Sequence, residues 1–223
     1  MMSTNSQRTA VILLFFLSGF CNLLYEIVWA RMFNLVFGVT VFAVSAVLAA
    51  FMLGLATGGI IFGRFAEKNN ATLYVFSLLH FGIFLSAVVM LFIFPVFQTF
   101  YCAVFQMFHP GFYPFRIIVF FLSLLLMIVP TTLMGATFPA AVTILAGKKE
   151  KLGRDIGVLY SVNTLGSVLG CVTAIFFLLG VAGMKGTIWA AAVADLLIGL
   201  AALTLSKSFP GGQKSLPMKG RPR

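Results

Sequence analysis

Charge is what this chain has least of. Only 9% of its 223 residues are charged, with five Asp and Glu against fifteen Lys and Arg. Soluble domains carry about a quarter charged residues. So few charges cannot cover a water-facing surface of this size. That excludes an ordinary soluble domain, a disordered chain and, despite the net charge of +10, a conventional nucleic-acid binder. Cysteine is scarce as well. Cys21, Cys102 and Cys171 lie far apart in apolar stretches, and no CxxC or HxxxH spacing occurs. A disulfide framework and a structural metal are thereby excluded, and the three read as small buried apolar residues. The chain offers no Ser/His/Asp set, no Cys/His pair and no metal cluster, so it calls for no cofactor and shows no catalytic centre of its own.

What it does have is hydrocarbon. Hydrophobic residues make up 61% of the chain, and 26 residues are Phe. The charges divide the chain into uncharged runs long enough to cross a bilayer, whose core of ~30 Å needs about 20 apolar residues. These runs place six helices at about 10–36, 40–63, 72–97, 116–146, 156–180 and 187–206. The expected fold class is therefore all-α: a polytopic six-helix transmembrane bundle over residues 1–206, in contact with the lipid bilayer, and a basic tail over 207–223. The start reads as an uncleaved first membrane helix, because no small-x-small cleavage site follows its apolar run. The segment Gln98 to Phe115 is rich in Phe and Tyr and contains Pro110-Gly111. It reads as an aromatic segment lying at the interface, with a longer, tilted third helix as the competing reading.

Lys and Arg set the orientation. With the N-terminus inside, the inner side collects Arg8, Arg64, Lys68, Lys148, Lys149, Lys151, Arg154, Lys207, Lys214, Lys219, Arg221 and Arg223, while the outer side collects Arg116 and Lys185. This imbalance predicts a multi-pass protein of a cytoplasmic membrane with both termini in the cytoplasm.

Close packing in lipid requires small residues. Ala46, Ala50, Gly54 and Gly58 follow at four-residue steps in the second helix, and Asn163, Gly166, Ser167 and Gly170 share one face of the fifth. In the fourth, Pro130 and Pro139 flank Gly135. Each proline removes a backbone donor, which points to a packing kink or to a broken helix of the kind found at transporter binding sites, with Thr131, Thr132 and Thr137 able to take up the freed carbonyls.

Ionisable groups at depth are expensive, by about 2.5–3.5 kcal/mol at the centre of a helix, and should face the bundle interior. Asn22 and Glu26 share a face, and Tyr25 and Trp29 share the adjacent one. Counting ~1.5 Å per residue brings Glu26 and Asp195 to within roughly 6 Å in depth, so the two acids are expected to meet if the first and last helices touch. Arg31 lies about 140° round the helix from Glu26 and is directed to the headgroups or to another helix. His80 reads as a hydrogen-bonded core residue.

The strings LSGFCNLLYEIVWARMF, FMLGLATGGIIFGRFAEK, MGATFPAAV and GVLYSVNTLGSVLG, in this order, cover most of residues 10–206. Together they resemble the membrane portion of bacterial spermidine-synthase-like proteins, in which a major-facilitator-like bundle is fused to an aminopropyltransferase. The resemblance rests on Tyr25, Glu26, Trp29 and Arg31, on Gly135 to Pro139, and on Tyr160, Asn163 and Gly166. It implies half of a major-facilitator-like fold. It also implies a membrane module that anchors, or delivers a small substrate to, a cytoplasmic aminopropyltransferase. Glu26 and Asp195 would then supply negative charge, with Asn22, Asn163 and Arg31 completing a substrate-binding set. The Gly-rich loop and acidic cluster of the soluble enzyme do not occur in this chain, which is expected to be a truncated product or a separate membrane subunit. Gly63 stands where the major-facilitator loop carries an Asp. Two further readings stay open: a half-transporter that forms a twelve-helix carrier as a homodimer, and an inert membrane anchor.

Overall fold

The computed structural model describes residues 4–38, 40–69, 72–108, 112–145 and 152–208. All its regular structure is helical: α1 (Thr4–Phe37), α2 (Val41–Asn69), α3 (Leu73–Phe108), α4 (Phe112–Leu145), α5 (Leu152–Val181) and α6 (Gly183–Ser208). Each is long and apolar enough to cross a membrane. The basic tail expected beyond Ser208 lies outside the described residues.

Local chemistry sets the helix ends. Gly38, with φ of +87°, ends α1 in the left-handed region that a side chain resists. The Thr40 hydroxyl then accepts a hydrogen bond from the Ala43 N–H at 3.2 Å, an N-cap for α2. Thr72 caps α3 in the same way through the Val75 N–H, at 3.5 Å. Gly183, with φ of +66°, makes the corner between α5 and α6.

Three helix pairs pack most intimately: α2 with α4, α1 with α5, and α3 with α6. The first two are parallel pairs. A Cβ on Gly54 would meet Thr131, and one on Gly58 would overlap the Thr132 carbonyl oxygen. Gly135 in turn abuts the Leu55 backbone. Positions in the two helices thus rise together. Between α1 and α5, Arg8 pairs with Asp155, Gly19 abuts Asn163, and Gly170 abuts Phe20, again in rising order. The small-residue strips are therefore the places where two backbones touch, as close packing in lipid demands.

The neighbour relations have a symmetry. Exchanging α1, α2 and α3 for α4, α5 and α6 turns the α2–α4 contact into α5–α1 and the α3–α4 contact into α6–α1, and it leaves α3–α6 in place. Where α1 and α3 end, the gap between them is filled by rings. Phe33, Phe37, Phe94, Phe97 and Tyr101 stack and meet edge to face, with centroids 4.9–6.3 Å apart.

Three expectations need correction. The segment after residue 97 is not a separate interfacial piece up to Phe108: α3 continues through it, because Phe97 and Tyr101 pack on Phe37 of α1. Pro130 and Pro139 do not break α4, which runs unbroken through both. Nor do the threonines take up the carbonyls that the prolines free, those of Leu126 and Gly135. Thr131 donates to Met127 O at 2.6 Å, Thr137 to Met134 O at 2.7 Å and Thr143 to Pro139 O at 2.8 Å. The freed Gly135 carbonyl instead faces Gly59 of α2. The real departure from α-helical winding is a π-turn in α5 at Ala174–Leu178.

Bulky apolar side chains cover the outside. Phe92, Leu125 and Phe176 are 70%, 71% and 73% exposed, which in water would be a liability and in lipid is the solvated face.

Candidate buried acid–imidazole site

The polar centre of the bundle lies where α1, α3 and α6 converge. Asp195 comes from α6, whose buried stripe otherwise holds one hydroxyl, Thr187, and apolar, mostly small residues (Ile188, Ala191, Ala192, Ile198, Gly199 and Ala202). Small residues let α6 approach both neighbours. Asp195 Oδ1 lies 2.8 Å from His80 Nδ1 of α3, and both side chains are fully buried. The Phe76 ring lies against the imidazole, with centroids 4.7 Å apart.

From α1 come Cys21, Tyr25 and Trp29, all fully buried. Cys21 and Tyr25 lie close enough to Asp195 to feel its charge. Tyr25 and Trp29 are stacked with ring centroids 5.0 Å apart. The four-residue spacing puts them one above the other on the face that meets α6. Two polar atoms here, His80 Nε2 and Trp29 Nε1, have no hydrogen-bond partner among the described residues, and the Tyr25 hydroxyl and Asp195 Oδ2 have none but each other. Ser18 Oγ and Ser77 Oγ, on the same faces of α1 and α3, have none either. Buried polar atoms are normally paired, and such a group of exceptions marks a place prepared for something polar.

The structure distributes the expected site residues differently. Asp195 is at the centre. Glu26 follows Tyr25 by one residue, so the ~100° helical step turns it off the shared face. It is half-buried and makes no ion pair among the described residues. The expected meeting of Glu26 with Asp195 is thus replaced by His80 with Asp195. Arg31 is exposed. Asn22 and Asn163 are half-buried, and each leaves its Oδ1 without a hydrogen bond. Asn163 serves the α1–α5 contact, where Gly19 lies against it and Ser167 donates to Gly19 O at 3.1 Å. Gly135 belongs to the α2–α4 contact, while Pro130 is buried and Pro139 half-buried within α4.

His80 is the hydrogen-bonded core residue expected of it, but sequence reasoning missed that its partner is Asp195 and that Tyr25 and Trp29 lie beside the pair. A signal was present. His80 lies eight residues past Thr72, about 12 Å into its helix, so the depth arithmetic that pairs Asp195 with Glu26 admits His80 equally well. The other ion pair among the described residues, Arg8 with Asp155, lies at the starts of α1 and α5. Asp155 sits there in the first turn of α5, where a negative charge suits the helix dipole. No protein-family model, curated protein or solved structure matches this chain.

Proposed function

We propose that this chain is the membrane module of a spermidine-synthase-like system, and that it holds a small protonated amine at Asp195 for delivery to a cytoplasmic aminopropyltransferase. One observation carries the reading: a fully buried carboxylate, held by His80 through one oxygen and paired with no Lys or Arg among the described residues, beside a stacked Tyr25–Trp29 pair. A carboxylate offers an ammonium group a charge-assisted hydrogen bond, and an aromatic face attracts it further. Tyr25 and Trp29 also belong to the motif on which the family resemblance rests.

The test is binding of putrescine and spermidine to the purified protein in nanodiscs. A hydrogen bond to a charged group is worth about 1.5–3 kcal/mol, so Asp195→Asn should weaken binding by roughly 10- to 100-fold. Equal affinity in the folded variant overturns the reading.

The exchange symmetry of the helices favours a second reading, half of a major-facilitator-like carrier that works as a homodimer. Internal repeats of opposite topology, with a site between them, are common in transporters. Amine uptake into proteoliposomes by a cross-linked dimer would establish it. Binding without uptake leaves the module reading in place, and neither binding nor uptake leaves a membrane anchor.

A further inference from the structure

We infer that the His80–Asp195 pair is a proton-exchange site: it holds one proton when empty of ligand and releases that proton when an alkylammonium group binds. The inference rests on the amine-binding reading above and adds the coupling ion. It comes from counting charges. The groups that face Asp195 are Cys21 and Tyr25 from α1 and His80 from α3. The π-turn of α5, which also packs on α6, brings only Ala174 to Leu178 and no titratable group. Glu26 lies on the adjacent, half-buried face of α1, and Lys185 and Lys207 are exposed near the ends of α6. Among the described residues no fixed cation touches Asp195.

The centre therefore carries one acid and one base and no permanent positive charge. A net charge buried in a membrane bundle is strongly disfavoured. The pair accordingly keeps a single proton, on the carboxylate or on the imidazole, and is neutral overall. An incoming ammonium brings its own positive charge to Asp195 Oδ2. Neutrality is then kept only if the shared proton leaves, so that Asp195 is the anion and His80 the neutral imidazole. The exchange balances: protonated pair plus ammonium gives ammonium–carboxylate pair plus one proton released to the aqueous side. A purely structural acid–imidazole hydrogen bond would make no such exchange.

The experiment measures binding of butylamine, a monoamine with a single charge, by titration calorimetry between pH 6 and 8, where the amine stays protonated, in buffers of different ionisation enthalpy. Release of one proton makes the affinity rise by about tenfold per pH unit, and the apparent binding heat then varies with the buffer. Asp195→Asn should lose both effects together with most of the binding, while its circular dichroism reports an intact bundle. Butylamine binding that is independent of pH and of buffer overturns the exchange and leaves the amine site standing. Absence of binding of both butylamine and putrescine by the folded wild-type protein overturns both.

Discussion

His80 and Asp195 are each fully buried and are joined at 2.8 Å, so removing one strands the other. His80→Ala should cost about 3–5 kcal/mol, the usual penalty for an unpaired ionisable group left in an interior. Replacing both at once removes the penalty along with the polarity. The double variant His80→Phe, Asp195→Leu should unfold at or above the wild-type temperature in detergent, a gain of up to about 4 kcal/mol. It should also lose amine binding. That combination separates a site retained for function from one retained for stability. A double variant less stable than His80→Ala would show that the pair holds the bundle together. The partner of Asp195 was hidden in the sequence because it lies 115 residues away on a helix that is not its neighbour in the chain. Its burial was legible, because an acid in an apolar helix has nowhere to go but inward.

At the scale of the helix, the glycines divide by what lies opposite them. A Cβ on Gly58 would overlap the Thr132 carbonyl, and one on Gly166 the Phe16 carbonyl; neither backbone can move aside alone. Alanine at either position should destabilise by about 1–3 kcal/mol through overpacking. Gly63 and Gly157 have nothing within 4 Å, so alanine there should stabilise by about 0.5–1 kcal/mol through helix propensity. Thermal unfolding of the four single variants in one detergent checks the sign at each. The four-residue spacing made these strips readable, although it could not say which helix each would meet. The end of α3 was less legible. Pro110-Gly111 and the crowd of aromatics read as an interfacial break, but Tyr101, together with Phe97 just before the segment, packs α3 on Phe37 at the end of α1. The prolines of α4 misled for a related reason. The carbonyl that Pro139 frees faces Gly59 of α2 within the bundle, and α4 runs on unbroken past it.

For the molecule as a whole, the parallel packing of α1 with α5 constrains how the chain threads the bilayer. Arg8 and Asp155 meet at the starts of these two helices, so both enter from one side. The chain must then cross an odd number of times between the end of α1 and the start of α5, as α2, α3 and α4 do. The parallel pair α2 and α4 requires α3 alone between them. With α6 added the crossings number six, and the two ends fall on the same side. The excess of Lys and Arg at those ends and at the α2–α3 and α4–α5 connections leads to the expectation that this side is the cytoplasmic one, which reporter fusions test. Alkaline phosphatase fused after residues 39, 110 and 182 should be active, and fluorescent protein fused after residues 70, 148 and 215 should fluoresce. Swapping the clasp gives a second readout: Arg8→Asp or Asp155→Arg alone should lower the unfolding temperature, and the two together should restore part of it. Reporters that place the ends on opposite sides would contradict the parallel pairs, and the acid–imidazole centre, built where α1, α3 and α6 converge, would fall with them.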